Sequence, residues 1–211
     1  MKENKLSLLK ICAVSIFTFG LFGAIHAQVT NSVFKVEPKD VIASVRVDNL
    51  HLELFEQVAV NFNADRNQLV MELLKIFQNQ ASSNHNQCAV AYYLGEMRAP
   101  QVVNALADKV TLAFDSSRTP IFHFPIISGY PAMDALVKIG NPSIPAVIRN
   151  LEESEDAKVR ELSLKVLYRI EGDKDIVQLR LQKALEVQQD SKKKARLQTA
   201  LQALLDPKFN K

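Results

Sequence analysis

Tryptophan is absent, glycine is scarce at 6 residues, and cysteine occurs twice in 211 residues. Few aromatics (7%) beside a 47% hydrophobic share argue against a β-sandwich and for a helical chain built on Leu, Ala, Val and Ile. The two cysteines, Cys12 and Cys88, are too few for a disulfide scaffold, and no paired Cys or His sits at zinc-ligand spacing. No glycine-rich loop precedes a helix to cradle phosphate, and no Ser or Cys falls in a motif with His and an acid for nucleophilic catalysis. His51, His85 and His123 stand alone. These absences lead us to expect a non-catalytic protein with no cofactor and no metal.

Only one long apolar run exists, and it is N-terminal. Lys2 and Lys5 give a positive start, Ile11 to Ile25 form an apolar stretch, and Ile25-His26-Ala27 ends in the small residue required at a signal-peptidase cut. Spanning a bilayer takes roughly 20 apolar residues, and Lys10 interrupts the run before that length is reached. We therefore expect residues 1–27 to be a cleaved signal peptide and Gln28 to begin an exported chain, periplasmic or secreted. Loss of Lys2, Glu3, Lys5 and Lys10 takes the formal net charge from +3 to about +1. That leaves no charge argument for a nucleic-acid partner, and no further stretch of membrane-spanning length. Cys88, in the apolar context Cys-Ala-Val-Ala, reads as a small buried hydrophobe.

Val33 to Val47 mixes β-branched residues with Pro38 and reads as an extended arm before a helix over about 49–60. Asn63-Ala64-Asp65 offers a cap, and Leu69, Val70, Leu73, Leu74 and Phe77 at helical spacing predict a helix from Asp65 to Asn79. Residues 28–80 thus form an N-terminal helical extension. From Gln87 the pattern repeats: Leu94-Gly95 through Leu106 aligns without a gap on Ile139-Gly140 through Leu151 at a spacing of 45. In each copy an apolar helix stops at glycine, which suits a left-handed helix end, and restarts with proline, Pro100 or Pro145, near its first turn. A third copy begins at Asp156 at a spacing of 31, and Ile176 to Val187 and Lys192 to Leu205 predict a closing helical pair.

Asp156-Ala-Lys-Val159-Arg160, followed by Ser163, Val166 and Leu167, resembles the HEAT-repeat pattern of aspartate, Val-Arg, small residues and leucine. Pro131 to Pro145, with Gly140 and Pro142, is similar to that family's helix-loop-helix junction, and Leu94-Gly95-Glu96 with Pro100 and Val102 to a longer form of it. The first two copies lack Val-Arg, and Ser163 stands where alanine is usual, so the copy number reads as two to four. The resemblance implies an all-α fold in which residues 81–211 form a short α-solenoid of stacked antiparallel helix pairs. It also implies a protein-binding adaptor or scaffold in the cell envelope, with Asp156 capping a helix and Arg160 bridging to a neighbouring repeat. Some HEAT-like families handle chromophores, so an accessory or lyase-like ligand binder is a second reading; self-assembly through the leucines of 197–205 is a third.

The two spacings differ by 14 residues, which matches an insertion over 115–129. Insertions in repeat proteins fall on one face, often the binding face. Arg118, Phe122, His123, Phe124 and Tyr130 are accordingly the candidate partner-binding residues. The competing reading has Phe122, Phe124, Ile126 and Ile127 folding back over the helices, since bare apolar loops are uncommon. The acidic turn Glu152, Glu153, Glu155, Asp156 and the basic run Lys192, Lys193, Lys194, Arg196 both read as water-facing.

Overall fold

A computed structural model describes residues 66–114 and 128–209 of the chain. The expected signal peptide, the arm, the helix over 49–60 and the Asn63-Ala64-Asp65 cap lie outside the described residues. The described residues contain eight α-helices and no strand: α1 Arg66–Gln78, α2 Asn84–Glu96, α3 Val103–Asp108, α4 Pro131–Ile139, α5 Ile144–Glu153, α6 Ala157–Glu171, α7 Lys174–Val187 and α8 Ser191–Leu205. Short 3₁₀ turns at Pro100–Val102 and Asn141–Ser143 precede α3 and α5. The all-helical expectation holds for these residues.

Six of the eight helix starts have a local cause in a side-chain cap or a proline. Ser83 Oγ accepts from the Asn86 amide at α2. Asp156, Asp173 and Asp190 do the same for α6, α7 and α8, accepting from the amides of Lys158, Asp175 and Lys192 at 2.7, 2.7 and 2.8 Å. Such side-chain oxygens satisfy first-turn N–H groups that have no helical acceptor. Pro131 and Pro145 occupy the first turns of α4 and α5, where a missing N–H costs nothing, and Pro100 and Pro142 open the 3₁₀ turns.

The two glycine-proline junctions are built differently. Gly140 ends α4 at φ +79° and Gly172 ends α6 in the left-handed region at φ +70°. Gly95 was expected to do likewise, yet it lies inside α2, which continues to Glu96. Left-handed geometry falls instead on Arg98, at φ 45°. Around it the Ala99 amide donates to Leu94 O at 3.3 Å and the Arg98 amide to Gly95 O at 2.9 Å, the paired bonds of a Schellman helix end. The first junction is therefore longer, with Met97, Arg98 and Ala99 before its 3₁₀ turn where the second has Gly140 alone. Consequently α3 and α5 start 41 residues apart, not 45, and Pro100 falls on Asn141, next to Pro142, rather than on Pro145.

What Gly95 provides is proximity. A Cβ there would lie 2.7 Å from Ala135 Cα and 2.9 Å from Ala135 Cβ, so α2 and α4 meet backbone to backbone. From Cys88 to Leu94 every residue of α2 is buried, as befits a helix covered on more than one side. α1 packs on α2, α2 on α4 and α4 on α6, while α3 packs on α5 and α5 on α8; α7 lies against α6 and α8. Close packing also joins α3 to α4, across the 115–127 segment, and α5 to α6. The helices on either side of each 3₁₀ corner thus make their main contacts with other helices.

Ion pairs between elements share one polarity among the described residues. Lys138 of α4 reaches Glu96 of α2, Arg149 of α5 reaches Asp108 of α3, Arg169 of α6 reaches Asp134 of α4, and Arg180 of α7 reaches Glu171 of α6. Lys193 and Arg196 of α8 reach Glu153 and Glu155 in the same sense, base on the later element and acid on the earlier. Partly exposed pairs of this kind contribute at most about 1 kcal/mol each, so their role is to favour one neighbour order over others. The apolar interior, including Leu73, Phe77, Leu94, Leu106, Leu136, Leu151, Leu167, Leu181 and Leu197, holds the helices together.

Candidate functional site

The residues flanking 115–127 are tied to the helical body on both sides. On the departing side, Lys109 Nζ donates to Phe77 O at 2.7 Å and to Gln87 Oε1 at 2.9 Å, and stands 4.9 Å from the centre of the Phe77 ring. A lysine here neutralises the carbonyl end of α1 while tying it to the chain that follows α3. Gln87 Nε2 in turn donates to Asn79 O and Ser82 O, and Asn84 Nδ2 donates to Ala113 O at 3.0 Å. The last residues before the segment are thus bonded to the α1–α2 turn.

On the returning side, the Ser128 amide donates to Asp134 Oδ2 at 3.3 Å, and Asp134 Oδ1 pairs with Arg169 at 3.4 Å. Ser128 Oγ accepts from the Tyr130 amide at 3.1 Å, and Gly129 takes φ +74°, turning the chain into α4. Tyr130 precedes Pro131 at the α4 start, half-buried, with Lys158 Nζ 5.5 Å from its ring centre. Glu161 first, and the Tyr130 hydroxyl in lesser part, hold the Lys158 ammonium above its ordinary pKa. Of the five candidate binding residues, Tyr130 is placed in this way; Arg118, Phe122, His123 and Phe124 lie outside the described residues.

Asp156 caps α6 as expected. Among the described residues Arg160 Nη1 donates to Ser154 O at 2.8 Å and Glu155 O at 2.9 Å, in the turn between α5 and α6. Arg196 of α8 reaches the same turn, donating to Glu152 O at 3.0 Å and Glu153 O at 3.1 Å and pairing with Glu155. Lys193 pairs with Glu153 at 2.6 Å, holding its carboxyl below the usual range. The acidic turn and the basic run, read separately as water-facing, are therefore partly spent on each other. Neither run signals the other in sequence, because α6, α7 and their turns separate them.

A buried polar bridge was missed as well. Asn150 Nδ2 donates to Ala107 O at 2.8 Å and to Ser163 Oγ at 3.3 Å, joining α3, α5 and α6. It supplies a reason for Ser163, fully buried where the repeat pattern has alanine: the hydroxyl receives the second Asn150 proton. Cys88 is fully buried, its Sγ 3.6 Å from Asn84 Oδ1, and burial pushes its pKa up to about 12. A thiol so placed is no nucleophile at physiological pH. Of the leucines of 197–205, Leu197 and Leu204 are buried, Leu201 is half-buried and Leu205 is exposed.

Among the described residues no group of three or more His, Cys, Asp or Glu is gathered to hold a metal ion, and no helix is long and apolar enough to cross a membrane. No protein-family model, curated protein or solved structure matches the chain.

Proposed function

We propose that this is an exported, non-catalytic binding protein of HEAT-like architecture, a scaffold that recognises a protein partner in the cell envelope through the 115–129 segment. The observation that carries this reading is the anchoring of the segment at both ends. Asn84 and Lys109 fix the departing chain, while Asp134 fixes Ser128 on return. Fixed ends lower the ordering cost of a binding loop. The segment between them holds Arg118, Phe122, His123 and Phe124, with Tyr130 and Lys158 at its edge; aromatics and arginine are the types enriched at interface centres. The solenoid part of the proposal is supported by the neighbour order of α2, α4 and α6 and by the packing of α3 on α5, while α8 rather than α7 takes the place beside α5.

Cross-linking the tagged full chain in its own envelope tests the reading. Phe122→Ala with Phe124→Ala is expected to abolish capture of a specific partner while the helical circular dichroism and the melting temperature stay unchanged. Capture that persists in the double variant assigns these aromatics to packing and refutes their role in recognition. Export is tested separately by sequencing the N-terminus of the protein recovered outside the inner membrane, which is expected to begin at Gln28.

A further inference from the structure

We draw no further inference here: the strongest candidate, the outward surface of α7 carrying exposed Ile176, Leu179 and Val187, is an apolar helix face, and nothing among the described residues shows what covers it.

Discussion

Replacing Gly95 by alanine sets two effects of opposite sign against each other. Inside a helix, alanine is favoured over glycine by about 1 kcal/mol, so a glycine of no other consequence would yield a more stable protein. Here the added Cβ would stand 2.7 Å from Ala135 Cα and 2.9 Å from its Cβ. Those atoms belong to α4 itself, which cannot swing aside as a flexible side chain would. Overpacking against such an obstacle costs about 3 kcal/mol, the upper end of the usual range. We expect a net loss of about 2 kcal/mol, or roughly 4–8 °C in melting temperature for a chain of this size. Urea unfolding followed at 222 nm measures it through the midpoint at constant slope. Adding Ala135→Gly removes one of the two obstructing atoms and should restore part of the loss but not all. A Gly95→Ala protein more stable than the parent by about 1 kcal/mol would refute the close approach of α2 and α4. Arg98→Gly provides the companion measurement: relief of a left-handed non-glycine residue gains about 1–2 kcal/mol, offset by about 0.5–1 of glycine entropy. It should therefore stabilise slightly, whereas no gain would place the helix end elsewhere.

Asn150→Ala should cost on the order of 1–2 kcal/mol by urea unfolding, because a buried link to the α3 carbonyl end is lost. Ser163→Ala should cost less, since Asn150 keeps Ala107 O, and equal losses would contradict this ordering. Cys88 in the native protein should resist a thiol reagent at pH 8.5 and react at once in denaturant; fast native labelling would show that the thiol is not buried. The carboxyls of Glu153, Glu161 and Asp190 are held below their ordinary range by Lys193, by Lys165 and by the Lys193 and Lys192 amides respectively. Their contribution is present above the unfolded-state carboxylate values and is lost as pH falls through the lower folded-state ones. Melting temperature should decline on acidification toward pH 3, with a shallower slope for Asp190→Ala and Lys193→Met; an unchanged slope would deny these contacts.

Helix identity was legible from residues alone because its causes are local. Leu69, Val70, Leu73 and Phe77 recur on one face of α1, Asp156 precedes α6, and proline opens α4 and α5, each acting within one or two turns. Even the closing pair α7 and α8 falls within two residues of its expected start. The glycines were only half legible, since a glycine serving a positive φ and one serving a close approach look identical in sequence. Gly140 and Gly172 do the first, whereas Gly95 does the second, a role defined by Ala135 on another helix.

Periodicity and capping by themselves marked a helix over 65–79, repeated helical pairs from Gln87 onward and closing helices over 176–187 and 192–205, whereas α2 begins earlier than its repeat pattern, at Asn84. Tertiary structure alone decided which helix lies against which, and with it the purposes of Asn150, Ser163, Lys109 and Arg196. A cap reads its partner two or three residues away, but Arg196 meets carbonyls 43 and 44 residues back along the chain. Such distant partners are chosen by the packing of the shared apolar interior, and no local pattern carries that choice.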